Sequence, residues 1–191
     1  MSRWPADTAE RLHDAALELF LERGYENTSA AEIAERAGVA KSTFFRHFTD
    51  KREVLFAAGQ DLLADRSAKV IAGAPAEATT FDLLDAALRA MTTAFDQERR
   101  AWYGRRQLVI TQNHELRERD LLKREALTAA LVTALHQRGL ASPAADLAAE
   151  IAHLALRTAY ARWIDGSVDK RLDELISETL ADLRAATAEF G

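Results

Sequence analysis

Apolar residues recur along this chain at spacings of three and four, and no stretch alternates apolar with polar over the length of a strand. The pattern predicts an all-α fold of about nine helices. Asp7, with Glu10 three residues on, has the form of a capping box for the first helix. That helix presents Leu12, Ala16, Leu19 and Phe20 on one face and stops at Gly24. Ser29 and Glu32 repeat the capping form ahead of a short second helix through Ile33, Ala34 and Ala37, ended by Gly38. A third short helix is expected over residues 40–48. Asp50 and Glu53 then open a long fourth helix through Leu55, Phe56, Leu62 and Leu63 to Ile71. The stretch GAPAEAT (73–79) reads as a linker. Thr80 caps a fifth helix running to Glu98, and helices follow over 101–112 and 115–138. Ser142-Pro143 is a start signal, a cap residue followed by proline in the first turn, for a helix to Asp165. Gly166 breaks it, and a last helix covers 169–188.

Composition adds bounds. The 191 residues are 48% apolar, enough to bury a sizeable core in one large domain or in a small domain joined to a larger one. There is no cysteine, so disulfides and thiolate metal sites are excluded. The start, MSRWPADTAERLHD, turns polar at once, and no apolar run approaches the ~20 residues of a membrane span. A soluble, cytoplasmic protein with no membrane association is expected. The five histidines show no metal-ligand spacing, and neither a glycine-rich phosphate loop nor a nucleophile elbow occurs. The expectation is a binding protein, not an enzyme, with no metal and no cofactor.

Charge changes the picture. The net charge is −5, yet residues 36–52 hold Arg36, Lys41, Arg46, Lys51 and Arg52 against Asp50 alone, a local +4 that leaves −9 elsewhere. One basic face on an acidic body suits a polyanion. The second helix, the Gly38 turn and the third helix have the proportions of a helix-turn-helix. Ala34 is small where the two helices come closest, and Gly38 can take the positive φ of a sharp turn. Val39, Phe44 and Phe48 supply the packing that locks the third helix. Lys41, Ser42, Thr43, Phe45, Arg46 and His47 remain for its start and outer face, and such donors reach phosphates and base edges in a major groove.

The stretch GYENTSAAEIAERAGVAKSTFFRHFTDKREVL (24–55) resembles the DNA-binding signature of the tetracycline-repressor (TetR) family of bacterial regulators. The resemblance covers the first 55 residues. It implies a helix-turn-helix DNA-binding domain at 1–52, joined by the fourth helix to a ligand-binding and dimerisation domain at 53–191. It implies phosphate contacts from Thr43, His47 and Lys51, a backbone contact from Ser29, and base reading by Lys41 and Ser42. Position 45 departs from the family's usual tyrosine: Phe45 keeps a ring for a thymine methyl or a sugar but loses the hydroxyl, and Arg46 offers charge beside it. An arm bearing Arg3 and Trp4 either reaches DNA or is a tail.

One short helix reads only a few base pairs, so specificity calls for a homodimer on a two-fold operator. The last two helices carry small and apolar stripes, Ala148, Ala152 and Ala155 on one and Leu172, Ile176, Thr179 and Leu183 on the other. These stripes either bury within the chain's own bundle or face a second copy, and the DNA argument favours the second copy. The family architecture implies an effector pocket in the remaining helices. Phe56, Phe81, Met91, Phe95, Trp102, Tyr103 and Ile110 are candidate lining for an apolar or aromatic molecule, and Arg106 shares a helix face with Arg99 and Trp102. AYARWIDG (159–166) and QLVITQNHELRER (107–119) resemble family members thought to sense acyl-CoA thioesters. Repression, relieved when ligand tilts the fourth helix and shifts Lys51, is the mechanism these features imply.

Overall fold

The structure, a computed structural model, describes residues 4–56 and 60–189, the side chains of 4–7 and 60–62 excepted. The described residues form nine α-helices and two one-turn 3-10 helices, with no strand among them. The chain separates into two compact units, Met1–Ala58 with Arg105–Leu121, and Gly59–Gly104 with Leu122–Gly191.

The first unit begins with α1 (Trp4–Arg23), which starts three residues before the expected Asp7 cap. Pro5 accounts for the earlier start, because a residue without an N–H belongs in a first turn. Arg3 and the Trp4 side chain lie outside the described residues. Helix α2 (Ala30–Arg36) is capped as expected: Glu32 N–H donates to Ser29 Oγ and Ser29 N–H donates to Glu32 Oε2. Gly38 then adopts φ +68°, and Val39 N–H donates to the Ala34 carbonyl at 2.9 Å. An added Cβ at Gly38 would meet nothing nearer than Arg11 Nη1 at 3.8 Å, so the left-handed backbone, not a lack of room, demands glycine. Helix α3 (Lys41–His47) follows and buries Phe44 completely. Leu12, Ala16, Leu19, Phe20, Ile33, Ala34 and Phe48 are among the other buried side chains of this unit.

The fourth helix departs from expectation. Asp50 Oδ1 accepts from Glu53 N–H, but what it opens is a one-turn 3-10 helix at Glu53–Leu55, and α4 runs Gln60–Gly73. Residues 57–59 and the Leu62 side chain lie outside the described residues. The same unit holds most of α6 (Arg100–Gln112) and the first turns of α7 (His114–Gln137).

The second unit holds α4, α5 (Thr80–Thr92), the start of α6, the rest of α7, α8 (Ser142–Asp165) and α9 (Leu172–Ala188). Thr79, not Thr80, caps α5, in a capping box with Asp82. Helix α5 stops at Thr92 instead of reaching Glu98. The Thr92 and Thr93 hydroxyls bond back to the carbonyls of Arg89 and Ala90, which offers the backbone an exit. Ala141 caps α8, with Ser142 and Pro143 in its first turn. No helix among the described residues is long and apolar enough to cross a membrane.

Ala148, Ala152, Ala155, Leu172, Ile176 and Thr179 are all at most 4% exposed within the single chain, and Leu183 packs against the same core. Within the single chain these stripes are buried in its own bundle, the first of the two alternatives. These side chains are the inner face of α8 and α9, where alanines at helical spacing let α8 lie close to α5 and α9.

Candidate nucleic-acid interface

Backbone geometry leaves α3 with one face inward and one outward. Phe44 and Phe48 stack inward, ring centroids 5.3 Å apart, and His13 of α1 lies 5.4 Å from Phe48. Lys41, Ser42, Phe45 and Arg46 are exposed on the outer face, while Thr43 and His47 are half-buried. Phe45 is 49% exposed, with the Lys41 ammonium 5.9 Å from its ring centre. The six residues assigned to the third helix therefore share one short element.

The surrounding charges are less available than their count. Arg36 forms ion pairs with Glu18 and Glu22 of α1, and Arg52 pairs with Asp50. The Arg36 hydrogen bond holds the Glu22 carboxyl below the usual carboxylate range. Burial pushes Asp50 up, but bonds from Arg52 and two backbone N–H groups outweigh it and leave the carboxyl lowered. The cations that α3 itself exposes are Lys41 and Arg46.

Ser29 is exposed, but its hydroxyl is occupied by its own cap, donating to Glu32 Oε2 at 2.7 Å. The Ser29 hydrogen bonds also hold the Glu32 carboxyl below its ordinary value of 4.5. A carboxyl lowered by folding stabilises the fold above its unfolded pKa, and that stability is lost as pH falls through the folded value. Far-UV circular dichroism is therefore expected to show α2 fraying as pH falls below the ordinary carboxylate range. Ser29→Ala is expected to cost about 1 kcal/mol near neutrality and to flatten that acid dependence.

Lys51 is half-buried and its ammonium is tied to the fold. Its ammonium donates to the carbonyls of Tyr25 at 2.9 Å and Thr28 at 3.2 Å, and stands 4.1 Å from the centre of the Tyr25 ring. The Tyr25 hydroxyl donates to Glu115 Oε2 of α7 at 3.2 Å. Burial first, then the Glu115 charge, pushes the Tyr25 phenol above its ordinary value. Sequence reasoning gave Tyr25 and Glu115 no role. Their separation of 90 positions leaves no local pattern to find.

The expected ligand-lining residues divide between the units. In the first, Ile110 is buried, and Arg106 donates from Nε to the Leu55 carbonyl at 2.6 Å with its guanidinium 5.2 Å from the Phe56 ring centre. In the second, Phe95 and Tyr103 join an aromatic cluster with Tyr160 and Trp163, and Trp102 lies edge-on to Tyr103. Among the described residues no group of acidic or histidine side chains is arranged to hold a metal.

Residues 12–58 match the family described as bacterial regulatory proteins, tetR family. Over 47 residues the chain is 53% identical to HTH-type transcriptional regulator TcmR of Streptomyces glaucescens, covering 25% of this chain and 21% of that one. Over 116 residues it is 30% identical to the putative mycofactocin biosynthesis transcriptional regulator MftR of Mycobacterium tuberculosis, 61% of this chain and 58% of that one. The match thus spans a fifth of one relative and under three fifths of the other. The fold resembles the transcriptional regulator FadR of Bacillus subtilis, crystallised with stearoyl-CoA. The TM-score is 0.59 at 21% identity, over 90% of this chain and 95% of that one. Residues 12–58 are thus a domain of the kind described as bacterial regulatory proteins, tetR family, and that match covers a quarter of the chain.

Proposed function

We propose that this chain is a transcriptional repressor that binds a palindromic operator as a homodimer through α3 and lets go when a small molecule binds. One observation carries the reading: a helix-turn-helix, built on Gly38, whose second helix exposes Lys41, Ser42, Phe45 and Arg46 together. Lysine and arginine reach guanine edges and phosphate, serine reaches either, and a ring meets a thymine methyl. Selection from a random duplex pool tests it. A palindrome with half-sites about 34–36 Å apart is expected, bound with an affinity that falls steeply with salt. Lys41→Ala and Ser42→Ala are expected to change base preference at fixed positions. Recovery of no preferred sequence overturns the proposal.

For the dimer, the outer face of α8 replaces the inner one. Leu147 is 61% exposed, and the half-buried Leu154 lies two turns on, with Ile151 between them partly packed against the chain's own core. A self-complementary apolar stripe of this kind suits a two-fold contact. Leu147→Glu is expected to yield monomers by light scattering and to weaken operator binding. A dimer that persists moves the interface elsewhere.

The aromatic cluster of the second unit suits an apolar or aromatic effector, or the acyl chain of a CoA thioester, the ligand class of the Bacillus subtilis structure. Helices α6 and α7 contribute residues to both units, and Arg106 and Arg119 bind Leu55 and Glu53 in the first. Those helices are the proposed route of release, in place of a tilt of the fourth helix. The effector must bind the released state more tightly than the DNA-bound one.

A further inference from the structure

Lys51 is the one residue of the proposed interface whose charged atom is held by fixed partners in the fold, and those partners lead away from the helix-turn-helix. Two carbonyls, of Tyr25 and Thr28, accept from the ammonium. Beneath it lies the Tyr25 ring, 4% exposed and edge-on to Phe20 with centroids 5.2 Å apart. The far end of that ring is tied by its hydroxyl to Glu115, in the first turn of α7. A cation over an aromatic face gains most when the ring is desolvated and cannot tilt, and both conditions hold here. The ammonium carries three N–H donors, two of which are directed at the carbonyls, so its remaining direction is set by the ring and the loop rather than by a flexible stem.

We infer that Glu115 is a positioning residue for DNA binding: through the Tyr25 hydroxyl it fixes the ring that aims the Lys51 ammonium. The inference rests on the DNA-binding reading above and adds to it a residue of α7, far from α3 in sequence. Glu115 touches no DNA in this account. Its carboxylate keeps Tyr25 from rotating, Tyr25 keeps the 25–28 loop carbonyls and the ring in register, and Lys51 meets a backbone phosphate without first paying the entropy of ordering its side chain.

The test uses the full chain, a duplex taken from the selection above, and binding measured across a range of salt. Lys51→Met keeps the apolar stem and removes the charge. It should lower the salt slope by about one, the signature of one lost phosphate contact. Tyr25→Phe keeps the ring but not the hydroxyl, and Glu115→Ala removes the acceptor. Each should weaken operator binding about threefold to tenfold, and move the salt slope toward that of Lys51→Met. Glu115→Gln, which retains an acceptor oxygen, should restore most of the affinity. On the Lys51→Met background, Tyr25→Phe and Glu115→Ala should have no further effect, a non-additivity that a merely stabilising role would not produce. Additive losses on that background overturn the inference, as does an unchanged slope in Lys51→Met or in Tyr25→Phe. If the wild-type chain selects no sequence at all, the DNA-binding reading fails, and that outcome is distinct from a specific operator indifferent to Glu115.

Discussion

Phe44→Ala is expected to cost about 3–5 kcal/mol and to abolish operator binding, because it empties the centre of the smaller unit. Phe44 is fully buried, and its ring lies 5.3 Å from both Phe48 and Phe45. Helix α3 has only seven residues and could not persist alone, so its helicity comes from tertiary packing. Removing the one buried side chain of α3 therefore removes the reason for the helix to lie against α1 and α2. A loss of that size is a large fraction of the stability of a small unit. Phe44→Leu keeps most of the volume and should cost about 1 kcal/mol, with binding retained. Urea unfolding followed by circular dichroism, beside operator titration, checks both. An unchanged midpoint in Phe44→Ala would mean that α3 is held by something other than this ring.

Trp163→Ala is expected to destabilise the second unit by about 3–5 kcal/mol. Trp163 is the largest fully buried side chain of the chain's described core. Its ring contacts Phe95, Tyr103 and Tyr160, with centroids between 5.3 and 6.2 Å away, and its Nε1–H donates to Gln97 Oε1 at 2.7 Å. Truncation leaves a void lined by three aromatic rings, and strands the Gln97 amide. Trp163→Phe should cost about 1–2 kcal/mol, chiefly the hydrogen bond. Because apolar voids of this kind take up small aromatic molecules, added indole should raise the melting temperature of Trp163→Ala and leave the wild type unmoved. If indole rescues nothing, the site has collapsed around the missing ring.

The three-and-four spacing of apolar residues was enough to read an all-α chain, and it located α2, α3, α6, α7 and the end of α8 to within a residue or two. The capping box at Ser29 and the left-handed turn at Gly38 were legible because each is a local rule, satisfied within four residues. The long fourth helix was not, since a 3-10 turn at Glu53–Leu55 has the same apolar spacing as the start of an α-helix.

Charge was the less faithful guide. Five cations in seventeen residues suggested a strongly basic face, but Arg36 is answered by Glu18 and Glu22 across α1, and those partners carry no mark in the local pattern. Lys51 likewise reads as a free charge until its two carbonyl partners are seen. Helix α8 misled for a third reason. It is apolar on two sides, and only packing tells the alanine side, buried in the chain's own core, from the side of Leu147, which is exposed.

Those two sides of α8 answer to different pressures over evolutionary time. The inner alanines cannot gain a methylene without forcing neighbouring helices apart. In the proposed dimer, the exposed side around Leu147 need only match a copy of itself. After a gene duplication, the inner side would hold each daughter to the same fold while the outer side drifted. If the proposed dimer holds, a few exchanges on that exposed side would suffice to stop sister chains from pairing with each other.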